Sequence, residues 1–389
     1  MHIVVDASFL AEAAQSVARV VPNRPSTPIL AGMLIEAGSG SVTLSGFDHE
    51  TSARASVAAD VQRPGSVLLP GRLLAEITGA FPGGPMSIIV SQADDGRGEA
   101  ELTGEGTSFV VPTLPVADYP ALPEAPPAAG SVEVELFDRA AQQAVVAAAR
   151  DELLPIFTGV LLDVAGPTLT LLATDRYRMA VRSLAWDPAD EQATARLLVP
   201  ARALAAVTRG LLPESRVEVG FHPDPTGTAT VSFAGRTRFG DLAMTSRLID
   251  GAFPDFGPLL QVEPDTRIRV ATATLRDAVR RAALVLERNT PLRLFVEDQQ
   301  CALTAASASQ ARSSIRIECV TEFLTEDRGT VAGFNPAFLT DALSVVDSPY
   351  VELSITDRQR QCLITGLAEL EGNPETSYRH LIKTLRLPD

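Results

Sequence analysis

The sequence is poor in the residues on which most enzyme chemistry depends. Its 389 residues include only three cysteines, Cys301, Cys319 and Cys362, with no C-x-x-C pair among them. So sparse and odd a count excludes a disulfide framework or a zinc ribbon and fits unpaired thiols in a reducing compartment. There are four histidines, His2, His49, His222 and His380, and none stands three or four positions from another. No H-E-x-x-H, G-x-S-x-G, Walker A or G-x-G-x-x-G run occurs, so no metal site, cofactor loop or activated nucleophile is expected. No apolar stretch approaches the roughly 18–20 residues that span a bilayer. The start, Met1 to Asp6, lacks the basic region and apolar core of an export signal. A cytoplasmic, membrane-free protein without metal or cofactor is therefore the expectation.

What is present is an ordinary globular composition, 46% hydrophobic and 21% charged, with a net charge of −15. Such acidity taken whole argues against a polyanionic partner. Its distribution argues otherwise. The segment Thr274 to Arg288 is basic, with Arg276, Arg280 and Arg281, and earlier helix-like segments carry Arg19 and Arg24, then Arg139 and Arg150. Acidic residues gather instead in strand and loop regions such as Asp94-Asp95 and Glu99 to Glu101. Basic helices facing a common axis would place one positive surface on an acidic body; solvated helix faces are the plainer reading.

The chain also repeats itself. Thr27-Pro28-Ile29-Leu30-Ala31-Gly32-Met33-Leu34 is answered by Leu154-Pro155-Ile156-Phe157-Thr158-Gly159-Val160-Leu161. Pro28 and Pro155, Gly32 and Gly159, and Asp48 and Asp175 all share one offset, and a fainter copy begins at Thr290-Pro291-Leu292. Each copy opens with an amphipathic helix, the first predicted over Ser8 to Val21, where Phe9, Leu10, Ala13 and Val17 recur at helical spacing. Alternating strands follow, as in Met33–Glu36, a Gly38–Ser41 turn and Val42–Ser45. A strand and proline then lead into a second helix at Gly71–Ile77, Ala201–Val207 and Ala337–Leu343, proline suiting a first helical turn. The pattern predicts an α+β fold of three repeated domains, each with two helices and antiparallel sheet. Proline-rich linkers at 112–127 and 253–264 divide it into domains 1–127, 128–262 and 263–389.

Thr174-Asp175-Arg176 has the residue types of an anion site. Asp175 equally suits a turn cap paired with Arg176 or Arg178, and its recurrence as Asp48 favours the turn, since a catalytic acid has no reason to repeat in each copy. The single Trp186 reads as core or interface.

Leu171-Leu172-Ala173-Thr174-Asp175-Arg176-Tyr177-Arg178-Met179-Ala180 resembles a conserved segment of bacterial DNA sliding clamps, the β subunit of DNA polymerase III. Arg247-Leu248-Ile249-Asp250-Gly251-Ala252-Phe253-Pro254-Asp255-Phe256 resembles that family's interdomain linker. Pro28-Ile29-Leu30, Phe334 to Leu339 and the ending Leu385-Arg386-Leu387 also match, and the details look most like actinobacterial clamps. The resemblance spans essentially the whole chain. It implies a non-catalytic processivity factor: three clamp domains per chain, closed head to tail in a homodimer as a six-domain ring that encircles duplex DNA without reading its sequence. By matching position it assigns DNA contacts to Arg24, Arg72, Arg150 and Arg202, with Arg276, Arg280 and Arg281 added from helix position. It places Phe109 and Val111 of an edge strand against Leu284 and Val285 of a helix at the dimer interface.

The resemblance further implies an apolar groove for short linear motifs of replicative polymerase, clamp loader and repair proteins. Carried over, the groove comprises Phe157, Thr174, Arg176, Tyr177, Arg178 and Met179, then Pro254, Leu259, Leu381, Lys383 and Arg386. Lys383, the only lysine in the chain, stands where such clamps carry a methionine, and Thr384 replaces a proline. A buried unpaired ammonium is costly, so Lys383 is expected to snorkel to the rim or meet an acidic partner. The alternative reading is a specialised clamp paralogue conferring resistance to a clamp-binding antibiotic, such as a cyclic-peptide inhibitor in the groove. An enzyme using Asp175 and Arg178 is the reading from a different class.

Overall fold

The computed structural model describes all residues except 93–97, 152, 223–229, 288–289, 298, 307–310, 326–330, 357–359, 386 and 388–389. The described residues form two compact units. One comprises Met1–Asp138, Trp186–Ala193 and Ala206–Leu248, the other Arg139–Ala185, Thr194–Ala205 and Ile249–Asp389.

Six helices are present among the described residues: α1 (Ala7–Ala18), α2 (Gly71–Gly79), α3 (Val134–Val145), α4 (Ala201–Leu204), α5 (Thr272–Ala283) and α6 (Pro336–Ser344). Asp6 caps α1, its carboxylate accepting from the Ser8 and Phe9 backbone N–H groups at 2.9 and 3.2 Å. Leu10, Ala13, Ala14 and Val17 bury one face of that helix. The expected extension to Val21 fails because Val20 turns back, its N–H bonding to the Val17 carbonyl at 3.0 Å. Similarly α4 stops at Leu204 rather than Val207, and α5 at Ala283. Pro336 occupies the first turn of α6 behind the Asn335 cap, as expected. Pro70 and Pro200 instead end their strands and sit at the cap itself, without a side-chain cap bond.

The first unit holds a five-stranded and a nine-stranded antiparallel sheet, the second a nine-stranded and a four-stranded one. Hairpin Gly32–Gly38/Ser41–Phe47 turns through Ser39 and Gly40, whose φ of 52° and 77° match the right-handed strand twist. Each nine-stranded sheet joins strands of two sequence repeats. In the first unit Gly240–Arg247 pairs with Thr51–Ala58, from Gly240 opposite Val57 to Ser246 opposite Thr51. In the second, Tyr378–Lys383 pairs with Arg178–Ala185, Arg178 standing opposite Ile382 and Arg182 opposite Tyr378. The middle repeat thus contributes strands to both units.

Among the described residues, two equivalent strands lack such a neighbour. Thr107–Pro112 ends the five-stranded sheet and Arg312–Glu318 ends the four-stranded one. Trp186 is buried as core in the first unit. Gly130 accommodates it, since a Cβ there would fall 2.5 Å from the indole ring.

Candidate functional site

The site is built on the hairpin between strands Thr168–Thr174 and Arg178–Ala185. Asp175 makes the turn, one carboxylate oxygen accepting from the Tyr177 and Arg178 N–H groups at 3.0 Å each. Thr174 Oγ1 donates to the Arg178 carbonyl at 2.6 Å and accepts from the Arg176 N–H at 3.1 Å. These bonds hold Arg176 at a φ of 78°, in the left-handed region. The first repeat builds the same turn: Asp48 accepts from Glu50 and Thr51 at 2.9 and 2.6 Å, and His49 has a φ of 76°. Asp48 and Asp175 are turn-forming residues.

Asp175 has a second task that Asp48 lacks. Its other oxygen lies 3.0 Å from Arg178 Nε, while Arg178 Nη1 reaches Asp341 of α6 at 2.7 Å. The Arg178 guanidinium lies 4.5 Å from the centre of the Phe338 ring and its side chain is only 4% exposed. Paired with two carboxylates, it is a buried strut.

Beside this strut lies a cavity of ≈ 580 Å³, walled by residues 148–151 and 153–154, the hairpin and the start of α6. Of the predicted groove residues, Phe157, Arg176, Tyr177 and Arg178 line it. Arg176 lies about 6 Å from both the Phe157 and Tyr177 rings (6.0 and 5.9 Å). Thr174 is buried under the turn. Met179 and Leu381 lie elsewhere, packed with Val181, Leu363 and the linker residues Phe256 and Leu260. A second cluster joins Phe157 to Leu161, Leu198 and Phe253, and Leu172 and Phe256 touch both clusters. Pro254 and Leu259 are exposed on the linker. The Lys383 side chain is exposed at its strand end, in keeping with the rim position, and its N–H donates to the Tyr177 carbonyl at 2.8 Å. Arg386 lies outside the described residues.

Sequence reasoning missed Leu172, Phe256, Phe338 and Asp341. Phe256 and Phe338 stood in matching motifs, but nothing local marked their contacts. Asp341 had no signal, its bond to Arg178 spanning 163 positions. The same face holds His380, fully buried and 2.9 Å through Nδ1 from Tyr378 Oη. Burial, with the Arg178 charge adding, pushes the His380 pKa down to about 3, so the ring is neutral at pH 7.

The seven predicted DNA-contacting arginines are all exposed and divide into two kinds by their partners. Arg24, Arg150, Arg202, Arg280 and Arg281 are exposed, with Arg280 and Arg281 both paired to Asp277, at 2.6 and 3.0 Å. Those bonds hold the Asp277 carboxyl below its ordinary range. Arg72 donates to the Val21 carbonyl at 3.0 Å, beyond the end of α1. Arg276 donates to the Leu343 and Val346 carbonyls at 2.8 and 2.9 Å, satisfying the C-terminal end of α6. Arg276, expected on the nucleic-acid face, is exposed and also engages its guanidinium in this cap.

The predicted interface residues lie on the end strand Thr107–Pro112 and just past α5. Phe109 packs edge-on against Phe81 at 5.7 Å, and Val111, 2% exposed, is buried in its own core. Val110, on the opposite face, is 58% exposed. Leu284 and Val285 are in the turn after α5 rather than on the helix, with Leu284 81% exposed.

Three repeats fused through continuous sheets, with a peptide-sized cavity at one junction, define a repeat-built clamp fold. The chain belongs to the DNA polymerase III beta subunit family, the beta sliding clamps. The model of that family's N-terminal domain matches residues 1–123, the central domain 131–255 and the C-terminal domain 259–374. The beta sliding clamp of Streptomyces coelicolor is 39% identical over 387 residues, covering 100% of both chains. The beta sliding clamp homolog GriR of Streptomyces muensis is 35% identical over 386 residues, covering 99% of each. A Pseudomonas aeruginosa sliding clamp solved bound to griselimycin has the same fold, with 23% identity, a TM-score of 0.85 and 100% coverage of both chains. The chain is accordingly a non-catalytic sliding clamp of a family that acts on DNA with polymerase. No helix among the described residues is long and apolar enough to cross a membrane.

Proposed function

We propose that two copies of this chain close head to tail into a ring around duplex DNA and tether polymerase, clamp-loader and repair proteins through the groove. The domains of that ring run 1–127, 128–262 and 263–389. The carrying observation is the pair of sheet edges that have no partner strand among the described residues. In the first unit Gly240–Arg247 pairs with Thr51–Ala58, and in the second Tyr378–Lys383 pairs with Arg178–Ala185. The equivalent strands left over are Thr107–Pro112 and Arg312–Glu318. An exposed edge is a template for another strand, and joining these two across copies repeats the same junction. Exposed Val110 and Leu284, with Phe109 and Val285, would be covered there. Arg24, Arg72, Arg150, Arg202, Arg280 and Arg281 would meet phosphates through charge alone, which permits sliding. Arg276 would act on that face by ordering α6.

The groove reading rests on the apolar clusters around Phe157 and Met179, flanked by the cavity at Tyr177 and Arg178. Such a surface suits a peptide with two hydrophobic anchors. The test is loading onto circular DNA. Retention on the circle and release when it is linearised are expected; equal retention on both forms would overturn topological binding.

The 35% identity to GriR and the lysine at position 383 favour a second reading, a specialised copy that resists a groove-binding inhibitor such as a cyclic peptide. A polymerase motif peptide should then bind Lys383→Met more tightly than the native chain. Equal binding would remove that reading and leave the ring intact.

A further inference from the structure

We propose that Cys319 and Cys301 form a peroxide-sensitive dithiol site in the four-stranded sheet, with Cys319 as the attacking thiol and Cys301 as the resolving one. Strand Gln300–Ala306 pairs with Arg312–Glu318, placing Cys301 opposite Ile317. The register runs one residue further, through the bond from the Cys319 N–H to the Gln299 carbonyl at 3.1 Å. Cys319 and Cys301 are thus diagonal neighbours on one sheet face, close enough for each to shift the other's titration. Cys319 Sγ also lies 3.5 Å from Thr321 Oγ1.

The two thiols differ in access. Cys319, 9% exposed, lines a cavity of ≈ 930 Å³ that also holds Arg269, Arg281 and Arg316. Cys301 is 1% exposed and lies outside that lining. They differ in charge as well. The neighbouring Cys301 thiol, with the Thr321 hydroxyl adding, outweighs burial and holds Cys319 below its ordinary range, which favours its thiolate. The same pairing and burial push Cys301 up. Cys362, fully buried and pushed up by burial alone, is an internal control.

The chemistry closes with peroxide as oxidant. Cys319 thiolate attacks one peroxide oxygen; an S–O bond forms, the O–O bond breaks, and the departing hydroxide takes a proton to become water. Cys301 sulfur then attacks Cys319 sulfur, forming S–S and expelling hydroxide, which leaves as water with the Cys301 proton. Two thiols and one peroxide give one disulfide and two waters.

The experiment treats the full-length native protein with stoichiometric hydrogen peroxide, blocks remaining thiols with iodoacetamide in denaturant, and maps peptides before and after reduction. The expected result is a Cys301–Cys319 crosslink with Cys362 alkylated. Cys319→Ser should slow thiol loss on the order of tenfold. Cys301→Ser should leave a Cys319 sulfenic acid that dimedone traps. No crosslink in the folded native chain, or oxidation of Cys362 as fast as Cys319, would overturn the proposal without bearing on the clamp reading.

Discussion

Replacing Asp175 by alanine separates a turn residue from a turn residue that also holds a buried cation. The turn itself loses an acceptor for the Tyr177 and Arg178 N–H groups, each at 3.0 Å. Such bonds contribute about 0.5–1.5 kcal/mol apiece. Arg178, 4% exposed, would keep only Asp341 at 2.7 Å. Stripping a buried charge of its partner costs about 3–5 kcal/mol, and the surviving Asp341 bond should cut that to about 1–2 kcal/mol. Asp175→Ala should therefore cost about 3 kcal/mol locally, against about 1–2 kcal/mol for Asp48→Ala, which loses the same kind of turn without a buried arginine. Because the chain comprises two compact units, the suitable assay is local. Amide hydrogen exchange at Tyr177 and Arg178, compared with Glu50 and Thr51, should accelerate about tenfold more, since about 1.4 kcal/mol is tenfold in an opening constant. Equal acceleration at the two hairpins would refute the assignment of Arg178 as a strut. A lost turnover in an otherwise intact protein would instead revive a catalytic role for Asp175.

Three further outcomes are expected. Val110→Lys places a charge on an exposed edge, so sedimentation velocity should show dissociation toward monomer with unchanged circular dichroism; an unaltered association state would count against that edge as the closing one. Arg24→Ala should reduce the salt dependence of DNA retention by about one ion equivalent, whereas Arg276→Ala should mainly lower the melting temperature because α6 loses its carbonyl partner; the reverse pattern would overturn their assignment. The folded-state pKa of His380, about 3, lies below its ordinary 6.5. The unfolded chain thus binds the extra proton between those values, and stability present above pH 6.5 should fall by about 1.4 kcal/mol per pH unit as pH drops toward 3. Urea titrations of native and His380→Phe proteins between pH 7 and 5 should differ in slope, and parallel slopes would exclude His380 as the cause.

The sequence alone determined the local and the periodic. Turn chemistry such as Asp48 and Asp175 depends on bonds to residues two and three positions on, so its recurrence marked the repeats, and hydrophobic period located the helices and strands. The lack of catalytic constellations was equally readable, being a matter of which residues exist. Helix ends were less so, because Val20 and Leu204 are apolar like their neighbours and only packing stops the helix. What the tertiary structure decided depends on contacts distant in sequence. It showed that sheets run through repeat junctions, that Arg276 spends its donors on α6, that Val111 faces inward where Val110 faces out, and that Asp341 completes the Arg178 strut. Position in the matching family and on the helices made each arginine a candidate for phosphate; that Arg276 also holds the end of α6 was settled by the carbonyls that folding brought within 3 Å, at Leu343 and Val346.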